Sequence, residues 1–200
     1  LDAKKGRFER VPGMPKAAAT SVFSLMPLGD RLLAPGFASG IYEVSDSGMK
    51  QVAPRPENSG VMFVMYQSPS DPSLIYVGCD NMLTSYRLAP SGRIAFERKI
   101  ADTPAIRSIV ESAAGTVWLG LESQGVMRVR IKEQQVDVKQ FGTADGLAGE
   151  GGGSVHKAAG RLLFAVRGGV HEFDEASGRF VPAPQFQVAA FGGNPEEYGI

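Results

Sequence analysis

The residues most able to do chemistry in this chain are few, since His156 and His171 are its only histidines and Cys79 is its only cysteine. A nucleophilic triad needs a serine, a histidine and a carboxylate in mutual contact, and neither histidine has recognisable partners along the sequence. Zinc requires several cysteine or histidine ligands at short spacings, which two distant histidines and one cysteine do not supply. The sequence therefore assigns no catalytic residue, no metal ligand and no cofactor. Calcium held by scattered carboxylates and carbonyls leaves no linear motif, so a hydrolase with such a site is the enzymatic alternative. Cys79 follows Ile75-Tyr76-Val77-Gly78 and reads as a small core residue. His171, in the alternating run Val170-His171-Glu172-Phe173, is expected on a solvated strand face opposite Val170. Gly151-Gly152-Gly153 lacks the lysine and following helix of a phosphate cradle and reads as a flexible joint.

These residues must be positioned by something, and composition narrows what that is. The 200 residues are 43% hydrophobic, as in ordinary soluble globular proteins. Lysine plus arginine equals aspartate plus glutamate at 21 each, which gives no footprint for nucleic acid or an anionic membrane. The longest apolar run, Val61 to Tyr66, is far short of a bilayer span, and no signal-peptide pattern is expected in this stretch. A single cysteine neither supports nor excludes an oxidising compartment. Twenty-five glycines and 13 prolines imply many short elements joined by tight turns, which favours an all-β reading.

A repeat organises those turns. Gly6, Gly48, Gly92 and Gly178 each open a similar phrase, with Gln135-Val136 filling the gap, and the period is 42 to 44 residues. A second series runs Gly36, Gly78 and Gly120 at steps of 42, each after a hydrophobic pair such as Val117-Trp118. A third runs Gly40, Gly125 and Gly169, with Asn81 in the remaining copy as the next-best residue for a left-handed turn position. Within each period the apolar residues alternate over runs of four to eight, with no sustained helical stripe. Four strands per unit follow, exemplified by Ile106 to Glu111, Thr116 to Leu121, Gly125 to Ile131 and Gln135 to Phe141. Such a sheet cannot cover its own two faces and must stack on its neighbours, as the blades of a β-propeller do.

The third unit resembles the two-component regulator propeller repeat through Gly115-Thr116-Val117-Trp118-Leu119-Gly120, then Gly125-Val126, then Phe141-Gly142-Thr143-Ala144-Asp145-Gly146-Leu147. The opening Phe8-Glu9-Arg10-Val11-Pro12-Gly13-Met14-Pro15 is similar to the same closing phrase, three periods earlier. Leu121 stands where that family prefers threonine, and the other units keep mainly its glycines and hydrophobics. The resemblance implies the extracytoplasmic, periplasmic sensor half of a membrane receptor whose kinase or diguanylate cyclase domain lies elsewhere in its chain. It also implies that Trp118 packs within a blade instead of stacking on a ligand.

We expect an all-β, incomplete ring of about four and a half blades. Residues 1–18 read as the last strand of a preceding blade, 19–59, 60–104, 105–150 and 151–184 as blades, and 185–200 as the start of another. The ends do not add up to one blade, so the natural protein is expected to be longer. Turns between second and third strands and the blade-to-blade connections should share one rim. Asp80, Asn81, Glu122, Gln124, Arg167 and Asp145 gather there as candidate ligand-binding residues. The expected partners are a small molecule or a saccharide-like ligand, other blades or domains of the same chain and a second copy in a homodimer, with no nucleic acid and no membrane contact from this segment. The function expected is non-catalytic ligand sensing; the alternatives are a propeller hydrolase or lactonase and a protein-interaction scaffold.

Overall fold

The structure, a computed structural model, describes residues 22–36 and 39–186. The first sheet holds β1 (Met26–Leu28), β2 (Arg31–Gly36), β3 (Gly40–Ser45) and β4 (Gly48–Pro54). The second holds β5 (Met62–Gln67), β6 (Leu74–Cys79), β7 (Met82–Leu88) and β8 (Ile94–Asp102). The third holds β9 (Ile106–Ala113), β10 (Thr116–Leu121), β11 (Val126–Lys132) and β12 (Gln135–Phe141). The fourth holds β13 (Gly153–Ala158), β14 (Arg161–Val166), β15 (Gly169–Asp174) and β16 (Arg179–Pro182). Every pairing within a sheet is antiparallel and between consecutive strands. Successive sheets meet through their first strands, β5 on β9 and β9 on β13, so these strands are the inner ones. This is an incomplete β-propeller. The strand expected within 1–18 lies outside the described residues, as does the one expected from Phe186 to Phe191 apart from Phe186 itself, which ends a 3-10 turn at Pro184–Phe186.

Alternation along the strands decides where the core sits. In β10, Val117, Leu119 and Leu121 belong to the apolar cluster shared with the second sheet, while Trp118 belongs to the cluster shared with the fourth. β6 repeats the division, sending Ile75, Val77 and Cys79 one way and Tyr76 the other. The core is therefore three layers between four sheets, and a middle strand is buried on both faces. Trp118 is fully buried, with Phe141, Phe164, Phe173 and Phe180 around it at 4.9 to 6.0 Å between ring centroids. Cys79 is buried as a core residue, and burial pushes its thiol up to about 12.

Packing between sheets also corrects the reading of His171. It is buried while Val170 is half-buried, because His171 stands opposite Phe164 on the face of the fourth sheet that packs on the third.

The second glycine series marks where one sheet approaches the next. A Cβ built on Gly78 would lie 2.7 Å from Cγ2 of Ile106 in β9, and one on Gly120 would lie 2.5 Å from the Gly153 carbonyl and 2.6 Å from Cα of Ser154. Only a residue without a side chain lets the inner strand of the following sheet close that far. At the same register position of β14 stands Ala165, opposite Ser154 and Val170.

The turn glycines hold the left-handed conformations expected at Gly40, Gly125 and Gly169. Asn81 does not, since the described non-glycine residues with positive φ are Asn58, Glu133 and Ala159. Its amide instead donates to the carbonyl of Asn58 at 2.7 Å, which ties the β6–β7 turn to the connection before β5. In the third unit the left-handed place of the first series falls on Glu133, φ 54°, in the turn just before Gln135.

Two polar contacts cross the layers. Glu111, 3% exposed, accepts from Ser68 Oγ at 2.5 Å, Tyr76 Oη at 3.4 Å and Gly115 N at 3.0 Å, joining the second and third sheets. Desolvation, reinforced by the Glu111 charge, holds the Tyr76 hydroxyl well above its ordinary value. Arg128 is buried with its guanidinium 5.2 Å from the rings of Trp118 and Phe173, and it pairs at 3.6 Å with Glu175 of the fourth sheet.

Gly120→Val should cost about 3 kcal/mol or more, read as a lowered melting midpoint. Gly142→Ala, where an added Cβ meets nothing within 4 Å, should stay within about 0.5 kcal/mol. For His171, burial lowers the imidazole pKa, so the unfolded chain binds more protons than the folded one below the ordinary value of about 6.5. Stability should thus be lost as pH falls through that window, and the urea midpoint should drop more between about pH 7.5 and pH 5 in the wild type than in His171→Leu.

Candidate functional site

The rim that carries the β10–β11 turn is built from main chain before any side chain enters. Leu121 N donates to Gly125 O at 3.1 Å and Glu122 N to Ala105 O at 2.9 Å, fixing the turn over the start of β9. Gly125 N donates to Gly151 O at 2.6 Å, and Gly125 forms a parallel bridge with Gly152. The turn of the third sheet is thereby tethered to the linker that enters the fourth. The glycine run 151–153, expected as a flexible joint, is instead a docking strip. A Cβ on Gly152 would strike the Glu122 carbonyl and lie 3.0 Å from that of Leu121.

Two cavities lie on either side of this turn. The inner one, about 280 Å³, is lined by Arg107, Glu122, Ser154 and Arg167 over the backbone of Gly152 and Gly153. The outer one, about 510 Å³, has Gln124, Gln140, Thr143 and the carboxylate of Glu150 above an apolar floor of Phe141, Leu147 and Val166. Gln140 Nε2 donates to the carbonyl and side-chain oxygens of Gln124 at 3.1 and 3.2 Å, which presents amide groups to the outer cavity. Amide, hydroxyl and carboxylate groups over apolar carbon suit a polyhydroxylated molecule without an anionic group at this end.

The inner cavity is charged. Arg107 projects from β9, its guanidinium 3.7 Å from the Phe63 ring centroid and 5.5 Å from that of Phe23. The two rings meet edge to face at 5.1 Å. On its open side Arg107 Nη2 pairs with Glu122 Oε1 at 2.5 Å, with the side chains 34% and 53% exposed. A pair so exposed contributes about 0 to 1 kcal/mol and an exposed cation–π contact about 0.5 to 1 kcal/mol, so the aromatic stack holds the guanidinium at least as well as the ion pair does.

Of the six residues expected at the rim, Glu122 and Arg167 share the inner cavity and Gln124 lines the outer one. Asp145 lines neither. It caps the 3-10 turn Thr143–Asp145 by accepting from Gly142 N at 3.0 Å, and it pairs with Lys139 at 3.7 Å. Asp80 and Asn81 stand at the equivalent turn of the second sheet, where Asp80 N donates to Val61 O at 2.9 Å and Thr103 N to Asn81 O at 3.2 Å. Sequence reasoning missed Arg107, Phe63 and Gln140, because they come from strands and not from turns. The available signal was a charge at Arg107 between apolar Ile106 and the Ile109-Val110 pair, on the strand that opens its unit. Among the described residues no three His, Cys, Asp or Glu side chains form a metal-binding group.

Comparison with known proteins gives the class. No family model matches the chain, and no curated protein matches it. Among solved structures it is similar to the extracellular domain assigned to the one component system BT4673 from B. thetaiotaomicron, with TM-score 0.65 and 16% identity over 88% of this chain and 23% of that one. It is similar to the extracellular domain assigned to the hybrid two component system BT3049 from the same organism, with TM-score 0.63 and 11% identity over 84% of this chain and 25% of that one. A structure assigned as a 6-phosphogluconolactonase from Bacteroides fragilis follows, with TM-score 0.53 and 14% identity over 78% of this chain and 54% of that one. These likenesses show the propeller fold, and the chain spans about a quarter of the length of the two sensor domains. They agree with the propeller expected from the repeat of about 43 residues.

The tether can be tested directly. Gly152→Ala should cost about 1 to 3 kcal/mol, because the linker must back away from the Glu122 carbonyl. Limited proteolysis should then cut within 122–125 faster than in the wild type.

Proposed function

We propose that this chain is part of a periplasmic, ligand-sensing propeller in a signalling receptor of the two-component or diguanylate cyclase type, and that the segment itself does no chemistry. The observation that carries this reading is the pair of adjoining cavities at the rim, separated by a turn of the third sheet that is hydrogen-bonded to the linker into the fourth. A molecule seated there touches both layers, so its binding free energy can favour one packing of the sheets over another, which is what a sensor requires. The extracellular sensor domains among the similar structures support the same reading. On it, Glu122, Gln124 and Arg167 contact ligand, while Asp145 shapes the connection. Asp80 and Asn81 would serve an equivalent place on the preceding sheet.

The lactonase among the similar structures favours a second reading, a hydrolase with scattered metal ligands. The test uses the intact protein that carries this chain, titrated calorimetrically with a panel of mono- and disaccharides and with sugar lactones. Saturable binding without turnover, weakened about tenfold or more by joint Gln124→Ala and Gln140→Ala replacement, is expected. Lactone hydrolysis that a chelator abolishes would replace the sensor by the hydrolase.

A further inference from the structure

We propose that the inner cavity is an anion site in which Arg107 is the fixed cation and Glu122 an internal counter-ion that a ligand carboxylate or sulfate displaces. This rests on the rim as the sensing site and adds the charge of what it senses.

Three observations converge on it. First, Arg107 has a support besides Glu122: its guanidinium carbon lies over the ring of Phe63 of β5 at 3.7 Å, with Phe23 beside it. A guanidinium stacked by its face leaves its in-plane N–H groups along the edges, the geometry that grips a carboxylate or sulfate with two parallel hydrogen bonds. Second, Glu122 is the less anchored member of the pair. Its side chain is 53% exposed against 34% for Arg107, it sits on a turn, and an ion pair so exposed adds little to stability. Third, Arg167 lines the same cavity, and among the described residues Arg107, Glu122 and Arg167 are its charged side chains. Two guanidinium groups thus face it against one carboxylate. The whole chain is neutral, so this field is local and suits a small anion, not a polyanion.

The displacement has a structural consequence. Glu122 opens the turn whose far end, Gly125, is bonded to Gly151. An anion that takes Arg107 from Glu122 removes the side-chain tie between that turn and β9 while leaving the main-chain tie to the fourth sheet intact. Binding thereby loosens the turn on its own sheet, where the bond from Glu122 N to Ala105 O remains, relative to its tie to the next one. The preferred ligand is a small molecule with one carboxylate or sulfate for the inner lobe and a hydroxylated remainder for the outer one.

The experiment titrates the intact protein with sodium sulfate, sodium D-glucuronate and D-glucose at constant ionic strength, with affinity read by calorimetry and folding by the melting midpoint. Sulfate and glucuronate should bind saturably and compete with each other. Arg107→Gln should weaken both about tenfold or more, and Glu122→Gln should tighten both several-fold by removing the internal competitor. A purely structural pair would move both variants in one direction, towards weaker binding and lower melting. No saturable binding of either anion, binding unchanged in Arg107→Gln, or weaker binding in Glu122→Gln would overturn the charge exchange. Glucose bound in the outer lobe with no response to anions would overturn it too, yet leave the sensing role standing.

Discussion

Everything in this structure depends on how closely one sheet can approach the next. The approach is set where Gly78 meets Ile106 and Gly120 meets Gly153 and Ser154, at distances that a Cβ would forbid. Because the contact is backbone against side chain or backbone, apolar side chains on either side of it interdigitate instead of propping the layers apart. The alternation that divides β10 between two clusters, with Val117 and Leu119 on one side and Trp118 on the other, works only at that spacing. The glycine seam and the two-sided core are one constraint expressed at two places.

Polar groups are admitted to this interior where they bind sheets together. Glu111 is buried without a cation and is held by a serine and a tyrosine of the preceding sheet and by an amide of its own turn. Burying a carboxylate is costly unless its lone pairs are satisfied, so the arrangement selects one relative placement of the two sheets. Arg128 does the converse on the next seam, exchanging water for aromatic faces and a distant carboxylate. Desolvation, and then the neighbouring Arg130, lowers its proton affinity, which marks how little water remains. The rim differs from both. Arg107 is stacked yet open on one side, where a charge can be exchanged with solvent or ligand at small cost.

The fold was legible because period, glycine and alternation agree: a four-stranded unit every 43 residues or so needs no side-chain detail to be recognised. Strand limits in the third unit, such as Thr116–Leu121 and Gln135–Phe141, could be read to the residue from turn signals. The site was legible only in part. Turn residues such as Glu122 and Gln124 announce themselves by polarity, whereas Arg107 acquires meaning only once β5 brings Phe63 beneath it, 44 positions away in sequence. His171 misled because alternation says that two faces differ and not which of them is covered: paired with Phe164, it falls on the face packed on the third sheet. The run 151–153 misled in the same way, since close docking and freedom of motion ask for the same residue type.

The tether from Gly125 to Gly151 and Gly152 has a meaning beyond its strength. It is made of peptide groups, so once Gly125 and Gly152 are in place the side chains at 122 to 124 do not decide whether it forms. Residues 122 to 124 can therefore drift through many chemistries during evolution while the link between turn and linker is inherited unchanged. A lineage that duplicated this unit could retune what the rim recognises in a few substitutions without reinventing how recognition is passed on. What is conserved in such a history would be the bare backbone, and what diversifies would be its decoration.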